Sequence, residues 1–199
     1  MSRASLLSRK QRQAISMLVV LISFVIYLGQ QHGWFGGAVK TAEQNQPGLY
    51  SVERDVDGDT IVVNMNGTPE TIRFIGADTP ETHKPNTPVQ CYGPAAANYT
   101  KTRIEQAGSK VRLQSDPDST NRDRYNRLLR YVYLPDGTLL EAELIKNGYA
   151  FYYPYFPFTK SAEFAAYQKS AQDGHKGLWG NCHPTPTDGG GYVSNALGS

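Results

Sequence analysis

Asn66-Gly67 stands between two short strand-like runs, residues 60–64 (TIVVN) and 71–76 (TIRFIG), and no other feature constrains the chain as tightly. Both turn residues tolerate φ > 0, so the segment predicts a tight antiparallel hairpin. The β-branched content of the first run fits a half-buried strand. In the second run, alternation puts Ile72 and Phe74 inward and Thr71, Arg73 and Ile75 outward. Arg73 thus projects from mid-strand, where a charge needs a reason. Asp57 and Asp59 open the hairpin, and Asp78-Thr79-Pro80-Glu81 closes it. Folding the hairpin brings Asp59 and Asp78 to one region. Two carboxylates, a Thr79 carbonyl or hydroxyl and the Glu81 carboxylate form an oxygen-rich site suited to a hard cation such as Ca²⁺. An EF-hand starting at Asp55 is excluded, because its sixth position is Thr60 rather than Gly and its twelfth is Asn66 rather than Glu. At Asp59, a strand start, no structural need for the carboxylate is evident.

The rest of the chain supplies a small α+β body. A strand over 49–56 precedes the hairpin, and strands follow over 110–114 (KVRLQ) and 128–134 (LLRYVYL). Residues 92–107 predict a helix with Pro94 in the first turn, where its missing N–H costs nothing, and Gly108 at the end. Shorter helices are expected over 139–146 and 161–173. Residues 82–90, with two prolines, predict a surface loop in which His83 and Lys84 are solvated charges. Aromatic residues crowd 149–158; they either stack bases or pack the junction between helix and barrel.

Four separated motifs occur in order: DGDT at 57–60, RFIGADTPE at 73–81, YGPAA at 92–96 and DRYNR at 123–127. Together they resemble the thermonuclease family typified by staphylococcal nuclease, over roughly residues 50–179. The resemblance implies a five-stranded OB-type Greek-key barrel with about three helices, whose open face commonly binds oligonucleotides. It implies a Ca²⁺-dependent endonuclease hydrolysing the phosphodiester bonds of DNA and RNA. Asp59, Asp78 and Thr79 would hold the metal, Glu81 would take or orient the proton of water, and Arg73 and Arg127 would grip phosphate oxygens. Arg124 and Tyr125 are expected to touch substrate, Tyr125 by stacking. The alternative is a catalytically silent nucleic-acid-binding OB module, which would be expected to lose these carboxylates or arginines. Two positions depart from the family pattern: Asn126 replaces the usual Gly before the arginine, and Ala95 replaces an acid. Asn tolerates φ > 0 well enough to keep the turn.

Charge and termini set the compartment. Residues 1–30 hold Arg3, Arg9, Lys10 and Arg12 and no acid, so of 20 basic residues 16 remain against 18 acidic ones in the body. Such a body does not hold nucleic acid by bulk charge, and phosphate binding must be local. The four basic residues precede an uncharged apolar run of 15 residues, 14–28, about 22 Å long as a helix. Residues 1–40 are expected to be a retained signal anchor or, alternatively, a cleaved signal peptide, either placing the body outside the cytoplasm. Residues 41–48 read as a linker, 49–182 as the nuclease-like domain and 183–199 as a disordered tail rich in Gly, Pro and Thr. The protein is expected to be monomeric. Two cysteines, Cys91 and Cys182, are compatible with one disulfide in an oxidising compartment.

Overall fold

The computed structural model describes residues 48–198 together with Met17. The expected anchor and linker therefore lie outside the described residues apart from Met17; among the described residues no helix is long and apolar enough to cross a membrane.

Strands β1 (Tyr50–Asp57), β2 (Thr60–Met65) and β3 (Thr68–Phe74) form a meander. At the β2–β3 turn Asn66 and Gly67 take φ of 55° and 88°, as a two-residue hairpin loop requires. Pairing runs in register from Met65↔Thr68 to Thr60↔Arg73. The second hairpin strand starts three residues earlier than expected and ends at Phe74, so Arg73 sits at its end rather than mid-strand. With the strand finished, alternation stops too: Ile75 turns inward and is buried, contrary to the outward position expected of it.

After β4 (Ala77–Asp78) comes the helix α1 (Gly93–Gln106), then β5 (Lys110–Gln114) and β6 (Leu128–Tyr133). The barrel closes in the order β1-β2-β3-β6-β5, with β3 and β6 parallel and β5 returning to β1 through Tyr50↔Val111. This is the five-stranded OB-type barrel. Its interior is filled by Ile61, Val63, Ile72, Phe74, Val111 and Val132. Three helices of seven residues or more surround it: α1, α2 (Leu140–Lys146) and α3 (Ser161–Asp173), followed by the single-turn α4 (Leu178–Asn181). Leu144 and Ile145 of α2 are fully buried, each contributing about 1.5–3 kcal/mol relative to exposure.

Two contacts aim the fold at one end of the barrel. Buried Thr100, midway along α1, donates its hydroxyl to the Gly58 carbonyl at 2.6 Å, latching the β1–β2 turn to the helix. Gly58 itself is pressed against Thr79: an added Cβ would lie 2.7 Å from the Thr79 methyl, so no larger residue brings this turn so close to the segment after β4.

The tail differs from expectation. Cys91 and Cys182 are joined by a disulfide. Beyond it, β7 (Phe151–Tyr152) having paired with β4, the chain makes a second small sheet of β8 (Thr185–Pro186) and β9 (Tyr192–Val193). Tyr192 packs on Phe151 and Trp179, and Tyr155 lies against Gly189 and Gly191. Residues 183–198 have no apolar period. They are ordered instead by backbone pairing, one covalent tether and aromatic contact with the body.

Candidate functional site

The β1–β2 turn, the end of β3 and the segment after β4 converge on Asp59. Its carboxylate is nearly inaccessible, with a side chain 6% exposed, so every lone pair needs a partner. Oδ2 accepts the Thr79 backbone N–H at 2.6 Å and the Thr79 hydroxyl at 3.0 Å, while Oδ1 accepts the Thr60 hydroxyl at 3.1 Å and pairs with the Arg73 guanidinium. Asp59 is therefore a structural node, which corrects the expectation that it meets no structural need. Burying an ion is costly unless it is paired and hydrogen-bonded, and here it is both.

Arg73 bridges two carboxylates. Its Nη1 pairs with Asp59 and its Nη2 donates to Asp78 Oδ1 at 2.5 Å, with the arginine side chain 13% and Asp78 36% exposed. The hairpin thus brings Asp59 and Asp78 to one guanidinium, as the folded register requires. Partial withdrawal from water raises the Asp78 carboxyl above the ordinary range although the side chain keeps an exposed edge; the Arg73 charge and hydrogen bond oppose this, and the nearby Asp57 and Glu81 charges add to it. Negative charge accumulates at this end of the barrel. Asp57, named in the sequence reading as a turn residue, is part of it and also accepts the Asp59 N–H at 3.2 Å.

Glu81 sits at the head of the loop that follows. All three of its carboxylate bonds fall on Oε1, from the N–H groups of Thr82, His83 and Lys84 at 2.9, 2.9 and 3.0 Å; Oε2 takes none of them. The loop turn thereby fixes the orientation of the carboxylate. His83 shares a 2.7 Å hydrogen bond with Thr82 Oγ1.

Arg127 comes from the turn before β6. Asn126 adopts φ 65°, the left-handed conformation that Asn in the place of the usual Gly has to preserve. Asp123 organises the turn: its Oδ1 accepts the N–H of Tyr125 and of Arg127 at 2.9 Å, and its Oδ2 the Arg127 Nε at 2.7 Å. Burial would raise the Asp123 carboxyl, but the backbone and guanidinium bonds from Arg127, its charge and the Tyr125 N–H outweigh it and hold the carboxyl low. The pair uses Nε, so the terminal Nη groups of Arg127 stand outside it. The parallel register sets Arg73 beside Leu129, two residues beyond Arg127, so Arg127 enters from the turn that leads into the strand paired with that of Arg73. Tyr125 is 65% exposed, and the Arg124 and Arg127 guanidinium groups lie 4.8 and 5.4 Å from its ring centre.

The aromatic stretch divides. Phe151 and Phe158 are buried, and Tyr149 stacks on Tyr99 of α1 at 4.1 Å. Tyr153 instead lies 6.0 Å from Arg73 and touches the exposed Tyr155 and Phe156. Asp123 and Tyr153 are the site neighbours that sequence reasoning did not single out. Asp123 was visible within DRYNR as a turn former; Tyr153 was hidden among twelve other tyrosines and two interrupting prolines.

Oxygen donors dominate the Asp59–Asp78 corner, which suits a hard cation rather than a soft one. Among the described residues no group of three or more His, Cys, Asp or Glu side chains is gathered closely enough to hold a metal by itself. A cation here would depend on two carboxylates, a threonine oxygen and water. By type that donor set fits Ca²⁺, which accepts mixed carboxylate, carbonyl and water ligation, once the Arg73 guanidinium gives up the Asp59 and Asp78 oxygens it bonds in this structure.

Residues 71–181 match the model of the family described as staphylococcal nuclease homologue. The chain is 39% identical over 169 residues to a thermonuclease of Staphylococcus hyicus, covering 82% of this chain and 96% of that protein. It is 39% identical over 166 residues to a thermonuclease of Staphylococcus intermedius, covering 82% and 95%. It is 38% identical over 156 residues to endonuclease YncB of Bacillus subtilis, covering 76% and 68%.

Proposed function

Because the chain belongs to the staphylococcal nuclease homologue family and is a phosphodiester-hydrolysing nuclease, we propose that it is a Ca²⁺-dependent endonuclease. It acts on DNA and RNA outside the cytoplasm, tethered by residues 1–40 or released after their cleavage. The observation that carries the reading is the Arg73 guanidinium spanning Asp59 and Asp78 at the barrel end. A cation-seeking pair of carboxylates and a phosphate-seeking arginine occupy one corner.

Asp59, Asp78 and Thr79 hold Ca²⁺ in this reading. When bound, the ion supplies Lewis-acid polarisation of a phosphoryl oxygen and orients water. The side chains do the rest. Glu81, with Oε1 fixed by three N–H groups, presents Oε2 to a water and accepts or orients its proton. Arg127 offers its planar fork to the phosphate oxygens, where charge develops as the bond to the leaving oxygen lengthens, and Arg73, whose Nη1 and Nη2 hold Asp59 and Asp78, reaches them with its remaining N–H groups. Asp123 holds the Arg127 stem by Nε and leaves its Nη pair for the substrate. Tyr125, exposed and close to Arg124 and Arg127, stacks on a base, a contact tolerant of sequence and worth about 1–3 kcal/mol.

The test is digestion of single-stranded DNA and RNA oligonucleotides by the full chain, with Ca²⁺ or with chelator. The reading expects internal cleavage of both in Ca²⁺ and none in chelator. Cleavage that persists in chelator would remove the metal.

A further inference from the structure

The segment beyond Cys182 ends against the stretch that carries Glu81. Asn195 O accepts the Cys91 N–H at 2.8 Å, the Leu197 N–H donates to Val89 O at 2.8 Å, and Ser194 Oγ donates to Cys91 O at 3.0 Å. Gln90, between these contacts, bridges Ala196 in antiparallel fashion. Its other side faces Glu81 in a reciprocal clamp. Gln90 Oε1 accepts the Glu81 N–H at 2.8 Å, and the Gln90 N–H donates to Glu81 O at 2.9 Å. The loop 82–89 is thereby pinched shut at its base.

The segment is itself anchored at its start. The Cys91–Cys182 disulfide fixes it one residue from Gln90, and Asn195 Oδ1 accepts the His183 N–H at 2.8 Å. Elsewhere the segment is held by the β8–β9 pairing and by Tyr192 on Phe151 and Trp179. An added strand supplies backbone bonds to an exposed edge in the manner of β-augmentation.

We propose that residues 183–197 are a strap that positions the Glu81 carboxylate through Gln90, with the disulfide as its buckle. The proposal rests on the reading of Glu81 given above. Gln90 is a positioning residue: it reaches the reaction through the Glu81 backbone. Releasing the clamp frees the base of loop 82–89, and the turn that fixes Glu81 Oε1 loses its frame. Displacement of a catalytic group by about 1 Å costs up to roughly 100-fold in rate. The cost should fall on kcat, because the phosphate-gripping arginines come from other strands and substrate binding is left alone.

The experiment uses the full chain and compares Gln90→Met, Gln90→Glu, the double Cys91→Ser/Cys182→Ser variant and Glu81→Gln on one oligonucleotide in Ca²⁺. Methionine keeps bulk but removes the acceptor; glutamate keeps the acceptor. Gln90→Met and the double serine variant should lower kcat by roughly 10- to 100-fold with KM nearly unchanged. Gln90→Glu should restore kcat. Gln90→Met added to Glu81→Gln should cost almost nothing further, since the group being positioned is gone. Hydrogen exchange, independent of activity, should show the Thr82, His83 and Lys84 amides losing protection in Gln90→Met. Wild-type kcat in Gln90→Met beside an inactive Glu81→Gln would overturn the strap alone. An equal loss in the Glu81→Gln background would overturn positioning in favour of general destabilisation. Full activity in Glu81→Gln would overturn the Glu81 reading and the strap with it.

Discussion

Asp59→Asn and Asp78→Asn remove one charge each from the same corner, yet the structure sets their costs far apart. Asp59 is buried, accepts three hydrogen bonds and pairs with Arg73. Asparagine keeps one acceptor oxygen, turns an N–H₂ toward donors and removes a partner from a buried guanidinium. Breaking a buried pair in this way costs about 3–5 kcal/mol. Asp78 has a side chain 36% exposed and one contact with Arg73; solvent screens that contact, and its loss costs below about 1 kcal/mol. Urea unfolding in chelator reads the difference without interference from bound cation. With a slope of about 2 kcal/mol/M, Asp59→Asn shifts the midpoint down by about 1.5–2.5 M and Asp78→Asn by less than about 0.5 M. Equal midpoints for the two variants would refute the assignment of Asp59 as a structural node. Both variants should lose Ca²⁺-dependent activity.

Three further outcomes are expected. Arg127→Lys keeps the charge but loses the fork, so kcat should fall by roughly 100-fold with little change in KM; a loss confined to KM that varies with salt would make Arg127 a binding residue. Burial holds the Glu141 carboxyl well above its ordinary range, so the folded state keeps a proton that the unfolded chain releases. Stability should therefore fall as pH rises above the ordinary glutamate range, and Glu141→Gln should gain on wild type with rising pH in thermal melts; a pH-independent difference would contradict this. Replacing Cys91 and Cys182 by Ser opens a loop closed across a separation of 91 residues, which in the chain-entropy model costs about 4–5 kcal/mol, measurable by urea unfolding.

Local chemistry made much of this molecule legible. Asn66-Gly67 fixed the β2–β3 register because few residue pairs accept two positive φ values, and that register alone brings Asp59 toward Asp78. Gly58 and Thr79, each within a recognised motif, turned out to touch. What periodicity does not carry is long-range pairing. The parallel β3–β6 contact closes the barrel and sets Arg73 near the strand that follows Arg127, and no local pattern encodes it. The burial of Asp59 was equally hidden, since two of its donors lie 20 residues away at Thr79 and its ion-pair partner is Arg73 of β3. The order of residues 183–198 escaped because it comes from a disulfide, backbone pairing and glycines laid on a tyrosine ring, none of which leaves an apolar period. Ile75 was placed outward by continuing an alternation past the strand's end.

The central claim is that Asp59 and Asp78 form a Ca²⁺ site beside Arg73. Calorimetric titration of Ca²⁺ into the full chain, without nucleic acid, tests it most directly. Wild type should bind one ion, and Asp78→Asn, which leaves the fold nearly as stable, should abolish or sharply weaken that binding. No binding by the wild type, or the same affinity in Asp78→Asn, would contradict the account.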